Sequence, residues 1–87
     1  MKSKLRIDVR GNKYWQLPNW LFHRDNGPAV EYVDGYKAWY LNGVLHREDS
    51  PAIEYKDDHK RWYLNNIEYS EKEHKKKMRL KKLEDIL

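Results

Sequence analysis

The chain contains no cysteine, which removes disulfide staples, thiolate metal sites and thiol nucleophiles together. A reducing compartment is compatible with that absence. No apolar run approaches transmembrane length, and the opening Met1-Lys2-Ser3-Lys4-Leu5-Arg6 is charged where a signal peptide would be apolar. The expectation is a soluble, cytoplasmic protein. No P-loop, nucleophile elbow or glycine-rich dinucleotide motif occurs, so a non-catalytic role is expected. His23, His46, His59 and His74 lack the close ligand spacing of zinc sites, and no metal or cofactor is expected.

What remains is short, charged and rich in large aromatics. At 87 residues the chain suffices for one domain, which buries only about 60% of the surface its unfolded form exposes. A charged fraction of 37% would point to disorder were it not for four Trp and seven Tyr, whose large contact areas must supply much of the core. Charge is uneven: residues 1–70 hold 11 basic and 10 acidic groups, residues 71–87 hold 7 and 4. The basicity belongs mainly to the tail.

An internal repeat of about 23 residues organises most of the chain. Lys13-Tyr14-Trp15-Gln16-Leu17 matches Lys37-Ala38-Trp39-Tyr40-Leu41 and Lys60-Arg61-Trp62-Tyr63-Leu64, and the Trp positions lie 24 and then 23 residues apart. His23-Arg24 through Pro28-Ala29-Val30-Glu31-Tyr32 aligns with His46-Arg47 through Pro51-Ala52-Ile53-Glu54-Tyr55 at a constant spacing of 23. An extra residue near Pro18-Asn19-Trp20 explains the slip.

Each unit reads as strand, turn, strand, turn. A two-residue turn at Asp34-Gly35 predicts Val33 opposite Tyr36 and Val30 opposite Trp39, placing Val30, Tyr32, Trp39 and Leu41 on one face and Glu31, Ala38 and Tyr40 on the other. The same rule at Asp57-Asp58 sets Ile53 and Tyr55 beside Trp62 and Leu64. Asn42-Gly43 and Asn65-Asn66 mark further hairpin turns. Leu5, Ile7 and Val9 fall out of phase with the later copies, which predicts a three-residue loop at Arg10-Gly11-Asn12 and brings Ile7 opposite Trp15. The fold expected is mainly β: a twisted antiparallel meander of tandem hairpin repeats over residues 1–69, plus a basic amphipathic C-terminal α-helix over 70–87. Ser70 and Glu73 have capping-box spacing, and Leu80, Leu83 and Leu87, flanked by Met78 and Ile86, form an apolar stripe. That helix covers the aromatic face of its own sheet or pairs with a second copy in a homodimer.

The run Trp-Tyr-Leu-Asn-Gly-x-x-His-Arg-x-x-x-Pro-Ala over residues 39–52 resembles a short β-repeat common in small bacterial and bacteriophage proteins, similar in character to MORN and YwqK-type repeats. The likeness spans roughly residues 10–69; Ser50 and Asp57-Asp58 depart from the Gly and Asp-Gly usual at those places. The resemblance implies a hairpin-repeat architecture. It further implies association with proteins or membrane lipids, as in MORN repeats, or a phage protein that counters host defence.

Several side chains are candidates for a site. His23-Arg24 and His46-Arg47 could hold a phosphate, since Arg offers a forked donor and His a second one. The favoured reading is a loop staple satisfied by Asp25 or Glu48 and backbone carbonyls. Trp15, Trp39 and Trp62 share a predicted face with Leu17, Leu41 and Leu64 and read as core rather than as base-stacking platforms. Tyr14, Tyr40 and Tyr63, on the opposite face, are the better binding candidates, because tyrosine is rigid, amphipathic and favoured at interfaces. Lys75, Lys76 and Arg79 in the tail could meet nucleic acid or anionic lipid, with a solvated helix face slightly preferred. The function expected is protein–protein binding, possible inhibition of a host-defence component being its most concrete form. Binding or sequestration of a nucleotide signal or nucleic acid through the His-Arg loops and basic helix is the alternative. A hydrolase would have to rest on His23 or His46.

Overall fold

The computed structural model describes residues 2–86, in which antiparallel β-structure dominates and one helix ends the chain. The strands are β1 (Lys4–Ile7), β2 (Lys13–Gln16), β3 (Val30–Glu31), β4 (Lys37–Ala38), β5 (Tyr40–Leu41), β6 (Val44–Leu45), β7 (Ile53–Glu54), β8 (Lys60–Leu64) and β9 (Ile67–Tyr69). They form one sheet in the order β1-β2-β3-β4-β7-β8-β9, with β5 and β6 as a separate pair. Helix α1 (Glu71–Ile86) follows. Neighbours in sequence are mostly neighbours in space, giving a flat body of 46 × 33 × 17 Å.

Turn chemistry sets the register, and it differs from the two-residue rule. In the hairpin around Gly35, Val30 lies opposite Ala38 and Glu31 opposite Lys37, and Tyr32 N–H donates to Tyr36 O. The loop is therefore Val33-Asp34-Gly35, three residues long, with Gly35 at φ 105° and Asp34 Oδ1 accepting the Tyr36 N–H. A left-handed third residue is the geometry of the three-residue hairpin. The pairing of Val30 with Trp39 expected from a two-residue turn is thus corrected by one residue, and one residue exchanges the faces of a strand. The next hairpin behaves alike: Ile53 pairs with Arg61, not Trp62, and Asp58 takes the left-handed place at φ 70°. In the first hairpin the loop is Val9-Arg10-Gly11, so Ile7 faces Lys13 and it is Leu5 that lies opposite Trp15. β1 stays out of phase, leaving Leu5, Ile7 and Val9 exposed.

Two shorter turns, Asn42-Gly43 and Asn65-Asn66, have positive φ at both residues and join β5 to β6 and β8 to β9, the two-residue geometry that Asn and Gly favour. After β2 the loop is Pro18-Asn19-Trp20, closed by Leu17 N–H to Leu21 O. The additional residue is Trp20, exposed and at φ 72°.

The register correction relocates the core. Arg6, Tyr14, Val30, Ala38, Ile53 and Arg61 form a continuous cross-strand row on one face. Its buried centre, Val30, Ala38 and Ile53, is overlaid by Tyr14, Phe22, Tyr36, Tyr40, Tyr55 and Tyr63. The Trp residues occupy the other face, where the adjacent row reads Lys13, Glu31, Lys37, Glu54, Lys60. Opposite charges directly across antiparallel strands support pairing. Leu17, Ala29 and Ala52 are buried outside that row, beside half-buried Trp15, Trp39 and Trp62, so the interior is shared between the two faces rather than made by the expected Trp face alone.

Helix α1 begins with a full capping box, Glu73 N–H donating to Ser70 Oγ (3.1 Å) and Ser70 N–H to Glu73 Oε1 (3.4 Å). Its first half packs on its own sheet through buried His74 and half-buried Met78. His74 Nε2 bonds Arg47 O at 2.7 Å, and its ring lies 4.9 Å from that of Trp62. Leu80, Leu83 and Ile86 stay exposed, so the expected apolar stripe does not cover the sheet; Leu87 lies outside the described residues. No described helix is long and apolar enough to cross a membrane.

Candidate functional site

On the Trp face one arrangement occurs twice. The Arg24 guanidinium lies 3.7 Å from the centre of the Trp15 ring and that of Arg47 lies 3.8 Å from Trp39. Arg24 Nη1 donates to Pro28 O and Glu31 Oε1, and Arg47 Nη1 to Pro51 O and Glu54 Oε2. The histidines are equally committed. His23 Nδ1 accepts the Asn42 N–H at 2.9 Å and His46 Nδ1 the Asn65 N–H at 3.1 Å. Nδ1 is thereby an acceptor, so Nε2 carries the proton and donates to Asp25 or Glu48, each at 3.1 Å. The His23 loop is thus tied to the Asn42-Gly43 turn and the His46 loop to the Asn65-Asn66 turn. Glu48 is further held by Lys81, and these two donors, Lys81 foremost, keep its carboxyl below the usual range. A hollow of about 610 Å³ separates the two loops, but carboxylates already face both of its arginines. The geometry matches the staple reading of His23, Arg24, His46 and Arg47.

Trp62 lacks an arginine of this kind. His74 stacks on it instead, with Lys75 Nζ at 5.9 Å from the ring centre. Lys75 also pairs with Glu71 at 2.8 Å, whereas Lys76 and Arg79 are exposed and make no ion pair among the described residues. Sequence reasoning overlooked His74; its place four residues after the capping Ser70 and four before Met78 was the available signal.

The opposite face carries a chain of rings. Centroid separations run Tyr40–Phe22 5.3 Å, Phe22–Tyr14 6.0 Å, Tyr14–Tyr32 6.2 Å, Tyr32–Tyr36 5.0 Å and Tyr36–Tyr55 5.5 Å. Arg6 stands 5.0 Å over Tyr14 and Arg61 5.6 Å over Tyr63. Tyr32, Tyr36 and Tyr55, with Asp34 and His59 at the rim, line an open trough of about 620 Å³. Burial raises the Tyr36 hydroxyl to about 12 and also raises Tyr40, so both remain neutral donors at ordinary pH. The Tyr14 hydroxyl donates to Asp8 Oδ2 at 3.0 Å. Tyr14 and Tyr40 therefore lie on a continuous aromatic surface, though each is half-buried as part of the core rather than freely displayed. Tyr63 joins the core beside it. Tyr32, Tyr36 and Tyr55 form the more open part, and the two-residue register concealed this by assigning Tyr32 to the Trp face.

Among the described residues no group of three or more His, Asp and Glu side chains is placed to hold a metal ion. No family model, curated protein or solved structure matches the chain.

Proposed function

We propose that the protein is a small non-catalytic binding module whose tyrosine face docks on a protein partner. The observation that carries this reading is the continuous run of rings from Tyr40 to Tyr55, open at exposed Tyr32 and the trough beside it. Side chains of this kind bring large contact area at low entropic cost, and their hydroxyls supply hydrogen bonds at the rim. The non-catalytic part is supported by the way His23, His46 and both loop arginines are consumed by structural partners.

The scaffold in this proposal is a tandem of hairpin units of about 23 residues. The paired Arg–Trp stacks, the paired His–Asn hydrogen bonds and the constant 23-residue offset between the loops support it. Where a third His-Arg loop would follow, α1 takes over and seats His74 on Trp62. The likeness to bacterial and phage repeat proteins makes a host-defence component in the host cytoplasm the first partner to test.

The test is capture from a bacterial lysate by the full chain, in parallel with Tyr32→Ser and with Lys76→Glu/Arg79→Glu. A stoichiometric protein retained by the native chain and by the helix variant, and lost with Tyr32→Ser, supports the tyrosine face. A second reading, nucleotide or nucleic-acid binding through the helix, is favoured by the unpaired Lys76 and Arg79. It requires binding that weakens steeply with salt and disappears in the helix variant. A homodimer through Leu80 and Leu83 would appear as a doubled solution mass.

A further inference from the structure

The two ends of the cross-strand row are treated differently. At one side, Arg61 ends the cross-strand row on the tyrosine face, and the next strand answers it: Glu68 of β9 meets its guanidinium through two bonds of 2.8 Å. At the other side, Arg6 ends the same row; it stands over the Tyr14 ring and donates to the Gln16 amide oxygen at 3.0 Å, with no carboxylate partner among the described residues. β1 is the outermost strand, so the place corresponding to Glu68 is vacant of any strand of this chain among the described residues.

Charge around that edge is one-sided. Residues 1–24 contain six basic residues and a single acid, Asp8. The Asp8 carboxylate is already occupied by the N–H groups of Arg10 and Asn12, the Asn12 amide and the Tyr14 hydroxyl. Lys2, Lys4, Arg6 and Arg10 make no ion pair among the described residues. On the other face of the strand, Leu5 and Ile7 are exposed, and Leu5 joins Leu17, Pro18 and Trp20 in lining a groove of about 360 Å³. Trp20 is 73% exposed, held where its carbonyl accepts from Gln16 Nε2 at 2.9 Å. A lysine-bearing edge usually protects a sheet from further pairing. Here the cations alternate with apolar residues, a pattern that repels most strands and selects one complement.

We propose that the β1 edge is a docking site for an extended partner segment in which acidic and apolar residues alternate. The segment joins the sheet as a further strand: its backbone pairs with the outward N–H and C=O groups of Lys4–Ile7. Its acidic side chains lie beside Lys4 and Arg6, as Glu68 lies beside Arg61. Its apolar side chains lie beside Leu5 and Ile7, one of them entering the groove at Trp20. This site is distinct from the tyrosine face and stands or falls independently of it.

The experiment is an NMR titration of the isotope-labelled full chain with a short capped peptide of alternating glutamate and valine. Saturable shifts confined to residues 4–7 and 16–21, with slowed exchange of the outward amides of β1, are expected. A lysine–valine peptide should bind about tenfold more weakly, and Arg6→Glu should reverse that preference. Should Arg6→Glu perturb the sheet, the native chain still decides: a glutamate–valine peptide methylated on its pairing nitrogens keeps its charge but loses its backbone donors, and it should not bind. Equal binding of the methylated peptide, shifts that map to the tyrosine trough or the helix, or no saturable shift would each overturn the proposal.

Discussion

The Arg47 guanidinium lies flat on Trp39, 3.8 Å from the ring centre, while its Nη1 donates to Pro51 O at 3.1 Å and Glu54 Oε2 at 3.3 Å. Its burial is matched by a partner on each side, so charge alone does not account for its contribution. Arg47→Lys keeps the charge but has neither the plane that stacks nor the fork that reaches two acceptors. The expected cost is about 1–2 kcal/mol, or a fall in Tm of roughly 4–16 °C for a domain of this size. Arg24→Lys should behave in the same way, and thermal melts of the two variants check both.

His74 is the buried anchor of the helix on the sheet, through the 2.7 Å bond to Arg47 O and the ring contact with Trp62, and Lys81 adds an exposed tie to Glu48. His74→Ala leaves the Arg47 carbonyl without this donor and a cavity over Trp62. About 2–3 kcal/mol of stability should be lost. A detached α1 is charged, makes few tertiary contacts, and at 16 residues is marginal alone. Far-UV circular dichroism should therefore lose helical signal at temperatures where the sheet survives, and proteolysis should concentrate between residues 75 and 86. His74→Gln, which can still donate to the carbonyl, should fall between the two.

The alternation of strands and turns was legible in the sequence because Asn-Gly, Asp-Gly and the aromatic pairs are local signals. Register was not. Whether Asp34-Gly35 sits in a two- or three-residue loop depends on whether Gly35 alone, or both residues, take positive φ, and the dipeptide is compatible with either. That single residue placed Val30, Ala38 and Ile53, half of the buried hydrophobic residues, on the face opposite the Trp side chains. The His-Arg loops were readable as staples because each carries its own acid two residues beyond the histidine. The donors that meet the two histidines from the next turn, the Asn42 and Asn65 N–H groups, are 19 residues distant and no local pattern points to them. For His74 the spacing from Ser70 and Met78 was legible but its partner was not, since only the folded sheet brings Trp62 beneath it.

Alkaline pH should loosen the tyrosine face. Burial raises the Tyr36 hydroxyl from 10.0 to about 12, so the folded state holds a proton that the unfolded state releases earlier. The associated stability is fully present below pH 10 and is lost as pH rises toward 12. Tyr40 is raised for the same reason and adds in the same direction. Denaturant midpoints measured across that window should fall while tyrosinate absorbance rises, and Tyr36→Phe should move the onset of the loss to higher pH.

Asp58 offers a change that should stabilise. It occupies the left-handed place in its three-residue loop at φ 70°, where the preceding hairpin has Gly35 at φ 105°. An L-residue with a β-carbon crowds the following carbonyl in that conformation, at a cost of roughly 1–2 kcal/mol, which Asp feels less than most. Asp58 is exposed, and the acid that organises the loop is its neighbour: Asp57 accepts the His59 N–H at 3.2 Å and pairs with the His59 ring at 2.7 Å. Asp58→Gly removes the crowding without touching those bonds. Greater freedom of glycine in the unfolded chain offsets part of the gain, leaving about 0.5 kcal/mol net. The reciprocal change, Gly35→Asp, should cost more than Asp58→Gly returns, because Gly35 adopts a φ farther from the range that Asp tolerates. A rise in Tm for Asp58→Gly together with a larger fall for Gly35→Asp would identify backbone conformation as the cause; a fall in both would place the contribution of Asp58 in its side chain instead.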